Sequence, residues 1–253
     1  MKYINIEEAS DKVIIPSLKK FVGDRKAIIG LSGGIDSTVV AYLCVRALGK
    51  DSVMGLTLPY GNGDDVHTYD GEVVAKTLGI KCERINIKPI VDAFPKIPKN
   101  SSNSRLVAGN IMARVRMVLL YQYANQYNGM VIGTTNKTEA IIGYYTKYGD
   151  GAVDVEPIAD LYKVEVWELG RSLGVPINII EKAPTANLWE KQTDEGEFGM
   201  TYREMDEILF AFYDGGDVIK VLETYGGDKV ANVLRRIKSS EHKKHLPPAF
   251  KLR

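Results

Sequence analysis

The run Gly30-Leu31-Ser32-Gly33-Gly34-Ile35-Asp36-Ser37 gathers several chemical resources in one short loop. Paired glycines let a backbone turn tightly and approach a ligand closely. Their N–H groups, the hydroxyls of Ser32 and Ser37 and the N-terminus of a following helix together make a concave anion site of the size of a pyrophosphate. A glycine turn whose serine merely caps a helix is the plainer alternative. Asp36 argues against it, because a carboxylate beside a phosphate repels the ligand unless a cation lies between them, which implies Mg2+. No Gly-Lys-Ser or Gly-Lys-Thr follows the glycines, so this is not a Walker A loop, nor is it a Gly-x-Gly-x-x-Gly dinucleotide fingerprint.

Other residues carry weaker signals. Glu139 follows the strand-ending Gly133-Thr134 and can pair with Asp36 as an oxygen ligand for a hard cation, or it can simply start a helix. Lys163 falls in the first turn of a predicted helix, where a cation opposes the dipole unless an anion such as a phosphate lies there; an exposed lysine is the alternative. Arg114 interrupts an apolar helix and calls for a phosphate or carboxylate partner, with a structural ion pair as rival. Lys147 and Asp154 flank the turn Gly149-Asp150-Gly151, and His242 and Lys243 sit in a basic tail; on residues alone both stretches read as solvated. Cys44 and Cys82 are far apart in apolar surroundings, which suits buried thiols and weakens disulfide and zinc readings.

These groups have to be held by the elements around them. Residues 26–31 form an apolar run ending in glycines, followed by a helical stretch at 38–48; strands are expected at 52–58 and 80–87 with a helix at 65–78 between them. After a Pro- and Ser-rich loop at 92–104 comes a long helix at 105–127. Leu106, Ile111, Val115, Val118 and Leu119 form one apolar face, but Met112, Met117, Leu120 and Tyr121 make its other sides apolar too, which predicts burial against a second copy of the chain in a homodimer. A fourth strand at 129–134, a helix at 161–173, an irregular stretch at 181–200 expected to act as a lid, and helices at 202–212 and 228–238 complete the chain. The alternation predicts an α/β fold, a doubly wound parallel sheet in a single domain, with ligands beyond the carboxyl ends of the strands.

A chain of 253 residues with 45% hydrophobic content can bury one sizeable core. With 33 basic and 32 acidic residues it has no global charge to hold it on nucleic acid or an anionic membrane. Neither a secretory signal nor a membrane-length apolar run is present, so a cytoplasmic location is expected.

The Ser32–Ser37 loop resembles the pyrophosphate loop of the N-type ATP pyrophosphatases, whose Rossmann-like fold is of the adenine nucleotide alpha hydrolase type and whose members cleave ATP between the α- and β-phosphates. Further segments resemble the ammonia-dependent NAD synthetases, in the same order along the chain. They are Asn-Ile-Met-Ala-Arg-Val-Arg-Met at 110–117, Gly-Thr-Thr-Asn-Lys-Thr-Glu at 133–139, Tyr-Thr-Lys-Tyr-Gly-Asp at 145–150, Asp-Leu-Tyr-Lys at 160–163, Pro-Thr-Ala-Asn-Leu-Trp at 184–189, Gln-Thr-Asp-Glu at 192–195 and Glu-His-Lys at 241–243. The resemblance implies that ATP is bound by Gly30 through Ser37 with Thr134, Lys163 and Thr185, that Asp36 and Glu139 hold Mg2+, and that nicotinic acid adenine dinucleotide is met by Arg114, Lys147, Asp154, His242 and Lys243. It implies catalysis centred on Asp36, Lys163, Ser32 and Ser37: adenylation of the nicotinate carboxylate, then attack by ammonia to give NAD, AMP and pyrophosphate. Free ammonia is the expected donor, because the chain has no room for a glutaminase domain; a separate glutaminase subunit stays open. Asn187 departs from the Asp that bacterial relatives often carry there. Another ligase or tRNA-modifying enzyme of the superfamily, or an ATP-binding sensor without catalysis, remains as a rival reading.

Overall fold

The computed structural model describes residues 4–61, 66–96, 103–185 and 193–250. Four strands, β1 (Lys26–Gly30), β2 (Val53–Thr57), β3 (Lys81–Arg84) and β4 (Gly129–Ile132), form one sheet in the order β3-β2-β1-β4. Every pairing is parallel. All four expected strands are present, each shorter than its apolar run. The continuous Ala-Ile-Ile of β1 is explained by burial on both faces, as parallel sheets require. Ala27 and Ile29 face one core and Ile28 the other, and Met130 and Ile132 divide from Val131 in the same way.

The first core is closed by α1 (Ile15–Val22), α2 (Ile35–Leu48), α3 (Val66–Leu78) and, farther along the chain, by the helix Lys163–Leu173. The second face is covered by α4 (Ser104–Gln126), through Met112, Val115 and Leu119. The sheet is thus doubly wound, as expected. Two details of α4 differ from expectation. Leu106 and Val118, assigned to the buried face, are 53% and 58% exposed, and Arg114 lies on the solvent side, where a guanidinium needs no buried counter-ion. Helical spacing accounts for both: at about 3.6 residues per turn Leu106, Arg114 and Val118 fall away from the face that carries Met112, Val115 and Leu119.

Past β4 the chain makes α5 (Lys137–Ile142), α6 (Lys163–Leu173), α7 (Asp194–Phe198), α8 (Tyr202–Tyr213), α9 (Val218–Tyr225) and α10 (Gly227–Ser240). The last three pack with α5 and α6 into a satellite core around Tyr202, Phe198, Met205 and Val233. Within the stretch expected to be an irregular lid, α7 is a short helix capped by Thr193, whose hydroxyl accepts from the Gly196 N–H. Residues 186–192, including Asn187, lie outside the described residues, as does the expected helix start at 65. Cys44 and Cys82 are free thiols, and burial pushes them up to about 12 and about 11, as suits inert packing groups. Among the described residues no helix is long and apolar enough to cross a membrane.

Candidate active site

Strand β2 lies on one side of β1 and β4 on the other, so the chain leaves β1 at the point where the strand order reverses. Ligands of open parallel sheets bind at such a point, beyond the carboxyl ends of the strands, and the residues that follow β1 and β4 line a common crevice there. Leu31, Ser32 and Gly34 of the turn line one wall of that crevice and Gly133 and Thr134 the other. A cavity of about 910 Å³ runs from the turn toward the C-terminal segment.

Gly33 has φ +72, a conformation that a side chain disfavours, and this kink turns the chain from β1 into α2. The Ser37 hydroxyl donates to the Gly34 carbonyl at 3.2 Å and accepts from the Ser32 N–H at 3.3 Å, with the Ser32 hydroxyl 3.1 Å away. The turn is therefore held by its own serines. Gly34 is the N-cap of α2 and no side chain caps that helix, whose first residues line the cavity. Free first-turn amides at the positive end of a 14-residue helix make an anion site.

Opposite the loop, Asp36 meets Lys163 and Glu139. The Lys163 ammonium donates to Asp36 Oδ2 at 2.5 Å and lies 3.6 Å from Glu139 Oε1. Only 2% of Lys163 is exposed. Burial works against its charge, and Asp36 and Glu139 together outweigh burial, so its pKa stands above the ordinary lysine value. Burial and then the Asp36 charge push Glu139 above the usual carboxylate range. The anion expected beside Lys163 is thus supplied by two carboxylates of the protein, and the lysine is not the exposed side chain of the alternative reading. The α6 N-terminus is capped as well: Asp206 accepts from the Val164 N–H at 2.9 Å and the Thr138 hydroxyl from the Lys163 N–H at 3.0 Å.

Asn136 joins the two carboxylates. Its Oδ1 accepts from the Glu139 N–H at 3.0 Å, Glu139 Oε2 accepts from the Asn136 N–H at 3.3 Å, and its Nδ2 donates to Asp36 Oδ1 at 2.9 Å. This capping box was legible as Asn-x-x-Glu, but the cross-link to Asp36 was not. Asp194 lies behind, accepting from Tyr202 at 2.9 Å and Tyr144 at 3.0 Å, and the Lys163 ammonium stands 4.9 Å from the centre of the Tyr202 ring. Asp194 was visible in the sequence only as part of the Gln192–Glu195 segment, and Tyr144 and Tyr202 not at all, because their hydroxyls approach from chain segments with no local motif.

Two converging carboxylates beside free helix amides suit Mg2+, which keeps several waters and takes one or two carboxylates together with phosphate oxygens. Among the described residues no three Asp, Glu, His or Cys side chains converge as a metal cage, so phosphate would have to complete the shell.

At the far end of the cavity the basic tail is docked rather than solvated. The Lys243 ammonium donates to the Gly143 and Tyr145 carbonyls, both at 2.7 Å, and Lys147 donates to the His242 carbonyl. Arg114 donates to the Lys147 carbonyl at 3.2 Å, bringing these basic groups to one wall. Burial lowers the pKa of Lys243. Thr134 and Thr185 line the cavity too. Of the expected site residues only Gly33 and Asp154 do not line it. Gly33 is buried beneath the loop. Asp154 accepts from the Val131 N–H at 2.8 Å and from the Tyr121 hydroxyl at 3.2 Å, extending the edge of β4. Those bonds hold the exposed carboxylate at the sheet edge, away from the cavity lining.

Residues 8–247 match the family model described as NAD synthase. The NH(3)-dependent NAD(+) synthetase of Methanosarcina acetivorans is 45% identical over 98% of this chain and 100% of its own. That of Thermococcus kodakarensis is 49% identical over 89% of each chain. Among solved structures, an NMN synthetase from Francisella tularensis superposes with a TM-score of 0.85 at 36% identity, covering 99% of this chain and 100% of that one. An NH3-dependent NAD synthetase from Campylobacter jejuni, in complex with nitrate, gives 0.81 at 32%, covering 98% and 100%. A phosphate-type loop at the switch point, a buried acid–lysine cluster beside it and a match over nearly the whole length agree with one another, and the chain belongs to the NAD synthase family.

Proposed function

We propose that the chain is an ammonia-dependent ligase that amidates nicotinic acid adenine dinucleotide, consuming ATP and forming NAD, AMP and pyrophosphate. The observation that carries the reading is the meeting of Asp36, Glu139 and Lys163 beside the uncapped start of α2. Such a cluster has little use in a protein that only binds ATP. It suits a reaction in which charge moves onto a leaving pyrophosphate.

The loop amides, Ser32, Ser37 and Lys163 hold the phosphates, with Thr134 and Thr185 as further contacts along the cavity. Asp36 and Glu139 would hold Mg2+, which would supply neutralisation of charge on the phosphates. Lys163 takes the same role from the protein side: its ammonium, now shared between the two carboxylates, turns to the departing pyrophosphate. Arg114, Lys147, His242 and Lys243 meet the dinucleotide and set its nicotinate carboxylate toward the α-phosphate. Ammonia then displaces AMP from the acyl-adenylate. That mixed anhydride hydrolyses readily, so water must be kept out, a task we assign to the stretch 181–200, of which 186–192 lie outside the described residues. Asp154 reaches a dinucleotide only if a second copy of the chain brings one to its edge, and the exposed Leu106, Val107 and Val118 of α4 suit a homodimer of that kind.

The Francisella relative is named for a mononucleotide product, which makes nicotinic acid mononucleotide the rival substrate. Purified protein is supplied with ATP, Mg2+, an ammonium salt and either the dinucleotide or the mononucleotide, and the nucleotide products are separated. Faster formation of NAD with one AMP per turnover is expected. ADP as product overturns the reading, and preference for the mononucleotide transfers it to the rival.

A further inference from the structure

Lys182 is absorbed by none of the roles above, although it lines the cavity beside the phosphate loop. Its ammonium forms an ion pair with Asp70 and donates to the Gly33 carbonyl at 3.2 Å. Both side chains are largely shielded, at 17% and 10% exposure. The pair is held there by close packing. A Cβ on Gly71 would stand 2.8 Å from the Leu31 carbonyl oxygen, so only a glycine lets α3 press its second turn against the loop and bring Asp70 to it. Lys182 itself sits three residues before Thr185, at the stem of the segment leading to α7.

A cation anchored on the carbonyl of the turn whose amides take phosphate is placed to add a further positive charge to the same anion. We propose that Lys182 is a pyrophosphate-binding residue whose charge Asp70 attenuates, so that Lys182 strengthens and Asp70 weakens the hold on the leaving group. This rests on the reading of residues 30–37 as the phosphate site. The ligand is an inorganic pyrophosphate or the corresponding part of a nucleoside triphosphate. The carboxylate has a use in turnover: without it pyrophosphate would leave slowly, whereas with it the ammonium is already partly satisfied when the product departs.

A purely structural ion pair makes a different prediction, since removing either partner loosens the same contact and acts in the same direction. Magnesium pyrophosphate is titrated into the full chain by calorimetry, for wild type, Lys182→Gln, Lys182→Arg, Asp70→Asn and Ser37→Ala. Lys182→Gln is expected to weaken binding about tenfold, by the loss of one charge-assisted contact. Lys182→Arg should stay near wild type, and Asp70→Asn should tighten binding severalfold and make pyrophosphate a stronger product inhibitor. If the Gln variant does not fold, Asp70→Asn decides alone. Weakened or unchanged binding in Asp70→Asn overturns the proposal, as does unchanged binding in Lys182→Gln while Ser37→Ala binds weakly. If neither Ser37→Ala nor Lys182→Gln weakens pyrophosphate, the phosphate-loop reading falls first and this proposal with it.

Discussion

Replacing Lys163 by Met keeps the length of the side chain and removes the ammonium that lies between Asp36 and Glu139. Two carboxylates in a buried site then face each other without a counter-charge. Breaking a buried ion pair from one side costs about 3–5 kcal/mol. In a chain of this size each kcal/mol shifts the melting temperature by roughly 2–4 °C, so a fall of about 10 °C is expected. The penalty should depend on pH. Glu139 already has a raised pKa in the folded state, from burial and then from Asp36, and Lys163 works against that rise. Without the lysine the folded pKa climbs further. A carboxyl whose folded pKa exceeds its unfolded one loses stability as pH rises between the two, so the variant should suffer more near pH 9 than near pH 6. Mg2+ should raise the melting temperature of the variant more than that of wild type, because a cation placed between the carboxylates replaces what was removed. NAD formation should fall by about 10²–10³-fold, the usual loss of one donor to developing charge. Calorimetric melting at both pH values with and without Mg2+, alongside the NAD assay, checks all four outcomes. A melting temperature within about 2 °C of wild type at both pH values would refute the assignment of Lys163 as the counter-charge of a buried acid pair.

Glu156 packs over Gly133, accepts from the Thr135 N–H at 3.1 Å, and is pushed by burial from 4.5 to about 7. It binds a proton more tightly when folded, so the protein loses stability as pH rises from about 4.5 to about 7. Glu156→Gln, whose amide oxygen can still accept from Thr135, should be near neutral at pH 5 and more stable than wild type at pH 8, by at most about 3 kcal/mol in urea unfolding. An equal difference at both pH values would contradict this account. Gly143 has φ +69, and a Cβ there would fall 2.1 Å from Ser240 Cβ. Gly143→Ala should therefore push α10 away, with at least about 1–2 kcal/mol from the left-handed backbone alone. Because the Gly143 carbonyl holds Lys243, KM for the dinucleotide should rise more than KM for ATP; a rise in both alike would separate the C-terminal turn from dinucleotide binding.

The order of strands and helices up to β4 was legible because burial on both faces leaves short apolar runs, and glycines mark where each run stops. The long α4 misled on its faces. Apolar residues all round a helix announce extensive burial, yet not which face meets the sheet, and Leu106 and Val118 fall outside the face of Met112, Val115 and Leu119. The lid was read as irregular because 181–200 carries Pro, Gly and mixed charge, but the Thr193 cap is enough to start α7 within it. In sequence Arg114 calls for a phosphate or carboxylate partner because of its apolar neighbours, and in the fold it lies exposed at the cavity wall. Sequence neighbours on a helix point in different directions, and only packing decides which of them meet solvent.

By itself the sequence determined the local objects: the kinked glycine loop, the capping box of Asn136 and Glu139, and a lysine at the start of α6. Each depends on backbone geometry over a few residues, which residue type and spacing control directly. Tertiary structure alone decided which of these objects meet. Asp36 finds Asn136 a hundred residues away and Lys163 farther still, Lys182 finds Asp70, and Asp154 turns to the edge of β4 instead of the cavity. Those pairings follow from the placing of β4 beside β1, a sheet order set by the summed burial of every strand and helix rather than by any one motif.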